Sequence, residues 1–232
     1  MLYICAVVTD TMNIESTSDL KNLLARKWPE AVCPGSNWGE TAFFTGHPAF
    51  DSLFPAAGIP YGQLIEITGD IGSGKTSMLF LLLSGITRKA TVAYLDFSGS
   101  FFPGSAIACG VDINRVIVLC PHDKESVDRP FAAALRSAEL IFRHHLASCV
   151  VFDLIGERGQ LPLTLLHRLR MHTVRAKALV IFLTDQQSNL IPASTTSLKL
   201  QVTRNESGSL HVAVARSRIS QEGISTEVTL HE

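Results

Sequence analysis

Gly69-Asp70-Ile71-Gly72-Ser73-Gly74-Lys75-Thr76 satisfies the pattern G-x-x-x-x-G-K-[ST]. Its flanks suit the pattern as well. Gln63-Leu64-Ile65-Glu66-Ile67 before it is an apolar run that reads as a buried strand, and the apolar residues 77–86 after it read as a helix. Glycines let backbone N–H groups converge on phosphate oxygens, and a helix N-terminus adds partial positive charge. Lys75 reaches the outer phosphates, and the Thr76 hydroxyl is placed to hold Mg²⁺. Residues 69–76, with Ser77 next in the helix, are therefore the candidate site for ATP or ADP with Mg²⁺. A Gly-rich strand-to-helix turn that binds nothing is the competing reading, and it gives Lys75 and Thr76 no purpose.

A second metal contact is expected at Asp153. Cys149-Val150-Val151-Phe152-Asp153 is an apolar strand ending in a carboxylate, the place from which phosphate-loop proteins reach Mg²⁺ through a bound water. Tyr94-Leu95-Asp96 ends an earlier strand in the same style, and Asp96 suits either the nucleotide site or a turn cap before Gly99.

Outward from these motifs, strand candidates lie at 64–68, 91–95, 116–120, 149–153, 179–184, 198–203, 210–215 and 227–230. Helix candidates lie at 49–54, 76–88, 104–108, 127–145 and 163–176. Strands alternating with helices imply a mostly parallel twisted α/β sheet with helices on both faces. The last strands follow one another without helices, so antiparallel strands are expected at that edge. Residues 43–232 then form the nucleotide-binding core. Residues 1–42 form an N-terminal helix and linker: Ser18 caps a short helix over 19–27, and 31–39 is rich in Pro, Gly, Ser and Asn. The apolar stretch 2–8 is either an ordinary strand or a leader upstream of a true start at Met12. It is too short, and lacks the preceding basic residues, to be a signal peptide or a membrane span.

Composition narrows the partners. The chain has 232 residues, 46% of them hydrophobic, and a net charge of −1. No global positive field draws it to nucleic acid, so DNA contact must be local or shared. Its five cysteines are scattered without a CxxC pair, which suits a reducing, cytoplasmic compartment. His144-His145 has no third ligand at useful spacing. On the 163–176 helix, His167, Arg168, Arg170, His172 and Arg175, with Lys177 beyond, leave Leu165, Leu166, Leu169 and Val174 as the apolar stripe. The basic surface is either solvated or a docking face.

The order and spacing of several motifs resemble the RecA ATPase core. Thr45-Gly46 through Asp51, Leu53, Gly58-Ile59-Pro60, Gly62, Glu66 and the phosphate loop match its start. Ala93-Tyr94-Leu95-Asp96, Pro103 and Gly110-Val111-Asp112-Ile113 match its next block. Residues 150–153 and 179–184 resemble its later strands, and 212–218 its closing strand, with Arg216 and Arg218 where the family has two lysines. The resemblance spans about residues 43–230 and is nearest to the ImuA/SulA-like branch. Those RecA-related proteins accompany an inactive Y-family polymerase homologue in damage-induced mutagenesis.

Departures from the family qualify that function. Ser98 stands where the family has the glutamate that activates water, and a lone serine is no base at neutral pH. Glu157, on the segment after the 149–153 strand, is the only nearby candidate for a substitute base. The adenine-contacting Asp and Tyr of the family fall on Phe102 and Ser105. The Gln that senses the γ-phosphate falls on Asp185, with Gln186 one residue away. The two segments corresponding to DNA-binding loops, 154–162 and 187–197, are short, and neither combines a basic track with stacking aromatics. Arg216 and Arg218 share one strand face and would reach a neighbouring subunit's nucleotide, or else form a solvated edge. The resemblance thus implies a nucleotide-binding accessory protein of DNA repair and translesion synthesis. It would act through RecA and/or the polymerase homologue, with weak or absent hydrolysis. The alternative is an active DNA-dependent ATPase of the RecA/RadA paralogue type; a small kinase is disfavoured because no Arg-rich lid follows the core.

Overall fold

A computed structural model describes residues 2–5, 11–14, 42–121 and 130–229. The helix expected over 19–27 and the linker after it lie outside the described residues.

Six neighbouring strands run parallel. In spatial order they are β10 (Leu198–Arg204), β5 (Gln63–Gly69), β9 (Leu179–Asp185), β8 (Cys149–Asp153), β6 (Val92–Asp96) and β7 (Val116–Pro121). Beyond β10 lie β11 (Leu210–Ser217) and β12 (Ser225–Val228), both antiparallel as expected. The other edge is antiparallel too, which the sequence reading did not foresee. There β1 (Leu2–Cys5) pairs with β7, and β2 (Thr11–Ile14) pairs with β1. Residues 2–5 and 11–14 thus extend the core sheet, in keeping with the strand reading of the apolar stretch that begins at Leu2. A two-stranded ribbon, β3 (Ala42–Phe43) with β4 (Ile59–Pro60), stands separately.

Strand alternation sorts the core into two layers. Ile65, Ile67, Val92, Tyr94, Cys149, Val151, Ile181 and Leu183 point to the face covered by α2 (Lys75–Thr87) and α3 (Pro103–Ala108). Leu64, Ala93, Leu95, Val150, Phe152, Val180 and Phe182 point to the opposite face, under α4 (Pro130–Arg143) and α5 (Leu163–Arg175). Strands buried on both faces read as continuous apolar runs, as these do. The remaining helix, α1 (Pro48–Asp51), is short. Asp51 holds it by accepting from the Thr45 N–H and hydroxyl and the Gly46 N–H. Pro48 and Pro103 open their helices in the first turn, where a missing N–H costs nothing.

One helix face departs from expectation. α5 buries Leu166, Leu169 and Thr173, while Val174 is 53% exposed. Val174 instead lies over Gly62, where a Cβ would come within 3.2 Å of the Val174 backbone. The buried stripe of α5 is narrower than the run of leucines suggests. Its Arg168 reaches across to the buried Glu139 of α4 at 2.8 Å.

Candidate nucleotide site

The carboxyl ends of β5, β6, β8 and β9 lie along one edge of the sheet, the edge at which ligands bind in open parallel sheets. The loop from Gly69 to Gly74 leaves β5 there and enters α2. Gly74 caps the helix at φ +83°, and Gly72 turns at φ +78°, both in the left-handed region that favours glycine. A Cβ at Gly74 would run into Leu210, with Arg204 beside it, whereas one at Gly72 would meet open space. The Ile71 side chain is 96% exposed at the tip.

Among the described residues, the N–H groups of Gly72, Gly74, Thr76 and Ser77 have no protein hydrogen-bond partner. Unpartnered donors around a helix N-terminus are the makings of an anion site. A buried ammonium completes it. Lys75 Nζ donates to Gly69 O at 2.9 Å, Asp70 O at 3.4 Å and Asp185 Oδ1 at 2.9 Å. The residues present therefore fit a phosphate group.

Asp153, 1% exposed, sits on the α2 face because it continues the parity of Cys149 and Val151. Asp96 lies opposite it across the β6–β8 ladder. Tyr94 donates its hydroxyl to Asp153 Oδ2 at 2.8 Å, and Ile155 N–H donates to Oδ1 at 3.3 Å. Burial pushes the Asp153 carboxyl up; the Tyr94 and Ile155 bonds counter it, and Asp96 adds to it. Burial, reinforced by Asp153, likewise raises Tyr94, so its hydroxyl stays a donor. The Thr76 hydroxyl and Asp153 supply hard oxygen donors of the kind Mg²⁺ takes.

Asp96 serves as the turn cap: Ser100 N–H donates to Oδ1 at 3.1 Å and Phe101 N–H to Oδ2 at 3.0 Å. Ser98 is drawn into the same cluster. Its hydroxyl lies 2.6 Å from Ser100 Oγ, 3.2 Å from Asp96 Oδ1 and 3.4 Å from Asp153 Oδ2. Glu157 lies on the loop after β8, where burial raises its carboxyl. Among the described residues no hydrogen bond joins Glu157 to Ser98, Asp96 or Lys75. Phe102 is 65% exposed at the start of α3.

Asp185 is the residue whose role the sequence understated. No one-residue shift puts Gln186 in the place of Asp185. Gly69 and Asp185 are register partners, and Asp185 shares the parity of Ile181 and Leu183, so its carboxylate faces Lys75. Gln186 turns instead to Asp70, donating at 2.9 Å, and accepts from Gln201 at 3.1 Å in the amide orientation that satisfies both ends. The register of β9 against β5, which neither strand's sequence states, brings the two together.

The two loop segments are anchored. Leu154, Leu161 and Leu190 are buried, and Leu161 N–H donates to Leu190 O at 2.9 Å, joining one loop to the other. Arg216 donates to Thr196 Oγ1 at 2.6 Å, and Arg218 to Ser194 O at 3.2 Å. Both arginines thus hold the segment before β10 within this chain. No helix among the described residues is long and apolar enough to cross a membrane.

Comparison with known proteins places this geometry. Residues 37–190 match the family model described as the RecA N-terminal domain. The chain is similar to Protein RecA of Roseiflexus sp. (strain RS-1), 28% identical over 151 residues, covering 60% of this chain and 43% of that protein. Against Protein RecA of Bifidobacterium breve, identity is 30% over 113 residues, 48% of this chain and 27% of that one. For Protein RecA of Thioalkalivibrio sulfidiphilus it is 27% over 161 residues, 61% and 45%. The matched region spans less than half the length of each of these relatives.

Proposed function

The chain belongs to the RecA N-terminal domain family, and from that premise we propose that it is a nucleotide-binding accessory protein of the ImuA/SulA-like kind. It binds ATP or ADP with Mg²⁺, hydrolyses nucleotide slowly or not at all, and acts in damage-induced translesion mutagenesis through RecA and/or a Y-family polymerase homologue. Residues 69–77 hold the phosphates, and Thr76 and Asp153 hold the ion. When bound, Mg²⁺ neutralises phosphate charge. Lys75 positions the polyphosphate, and Asp153, kept in place by Tyr94 and Ile155, orients the ion's water shell.

The carrying observation is a complete phosphate loop beside a serine where the family has its water-activating glutamate. Ser98 shares its hydroxyl among Ser100, Asp96 and Asp153, so no free carboxylate stands at that position. The anchoring of Leu154, Leu161 and Leu190 supports weak DNA contact, because segments packed into the core are poorly placed to wrap a strand.

Steady-state turnover with and without single-stranded DNA tests the reading. Losing a general base lowers rate by about 10²–10⁴, so turnover should be slow and insensitive to DNA, with Ser98→Glu restoring part of it. A wild-type rate that rises many-fold on adding DNA would replace this reading with the active DNA-dependent ATPase.

A further inference from the structure

Lys75 offers three ammonium protons, and all three point at acceptors: Gly69 O, Asp70 O and Asp185 Oδ1. The first two are backbone atoms of the loop itself. The third is a full negative charge brought from a strand 110 residues further along the chain. We propose that Asp185 sets the phosphate count of the ligand, biasing the site toward a nucleoside diphosphate and against a triphosphate. The proposal rests on the nucleotide-binding reading above.

Asp185 is held from three sides. Its Oδ1 takes Lys75 at 2.9 Å, its Oδ2 takes the Gly156 N–H at 2.8 Å, and its main-chain oxygen accepts from the Thr68 hydroxyl at 2.9 Å. Partial burial works to raise the carboxyl, but the Gly156 and Lys75 contacts outweigh it and hold it below the usual range. The group is therefore a carboxylate at neutral pH. A terminal phosphate drawing on Lys75 must either share it with this fixed carboxylate, at the cost of like-charge repulsion, or displace the carboxylate and forfeit the ion pair. A diphosphate makes a smaller demand on the same ammonium, since the unpartnered N–H groups of Gly72, Gly74 and Thr76 serve its phosphates. A neutral side chain at position 185 could instead donate to a phosphate.

The test is isothermal titration of wild type and Asp185→Asn with Mg-ADP and with a non-hydrolysable Mg-ATP analogue. Wild type should prefer the diphosphate by about tenfold or more, tenfold being about 1.4 kcal/mol. Asp185→Asn should erase most of that preference by tightening the analogue while changing ADP little. Equal affinities in wild type, or a preference that survives in Asp185→Asn, overturns the proposal while leaving nucleotide binding intact. If neither nucleotide binds either protein, the nucleotide-binding reading falls and this one with it. Should the variant fail to fold, wild type alone carries the test through competition against a fluorescent ADP. Pyrophosphate should displace the probe better than tripolyphosphate, and the reverse order overturns the proposal.

Discussion

At the scale of single residues, Asp153 carries a carboxylate that burial opposes. Its carboxylate is buried, and burial raises its pKa above the unfolded value. An acid shifted upward binds more protons when folded, so stability declines as pH rises from the unfolded pKa to the raised one, then stays reduced. Asp153→Asn removes the buried charge while keeping an oxygen for the Tyr94 hydroxyl. Relief of about 1 kcal/mol would raise the melting midpoint by about 2–4 °C at neutral pH. The advantage should fade toward acid, where Asp153 protonates anyway, and the variant should lose Mg²⁺-dependent nucleotide binding. Scanning fluorimetry across pH, with and without Mg-ADP, reads both; a lower neutral midpoint for the variant would show the carboxylate to be net stabilising. Residue types alone marked Lys75, Thr76 and Asp153, because motif spacing is local. The Lys75–Asp185 pair was not legible. It depends on β9 lying next to β5, a fact of topology that neither segment carries by itself.

At the scale of elements, Arg216 and Arg218 divide what parity reveals from what it does not. Alternation in the sequence assigns both to one strand face, but β11 ends at Ser217, so Arg216 lies on the strand and Arg218 just beyond it, and the pairing with β10 skips Ala215 immediately before them. Their partners, Thr196 and Ser194, belong to an irregular segment with no periodicity to read. The same limit explains Val174 on α5: a stripe of leucines suggests a broad apolar face, but α4 and β5 cover only part of it. Two roles for the arginines then follow, one within the chain and one toward a partner. Reversing both to Glu should speed amide exchange over residues 191–197 as the Ser194 and Thr196 contacts are lost. It should also weaken binding to RecA or the polymerase homologue, with salt weakening the wild-type interaction in parallel. Unchanged partner binding with faster exchange would confine the arginines to their role within the chain and move the search to the basic surface of α5.

For the molecule as a whole, the parallel sheet was readable because its strands are apolar on both faces and helices separate them. The antiparallel edge at β7 was not, since the short strands β1 and β2 show no clear alternation in sequence. The assembled molecule presents a preformed anion site in a body with no excess positive charge. That combination supports the proposed nucleotide-dependent accessory role over a DNA-coating one. Occupancy of the phosphate loop by nucleotide underlies both the proposed function and the role assigned to Asp185. The direct measurement is the melting curve of wild type and Lys75→Ala with and without millimolar Mg-ADP. A ligand at about a hundred times its Kd adds about 2.7 kcal/mol, so wild type should shift upward by several degrees and Lys75→Ala by little. Superimposable wild-type curves with and without nucleotide would contradict the account.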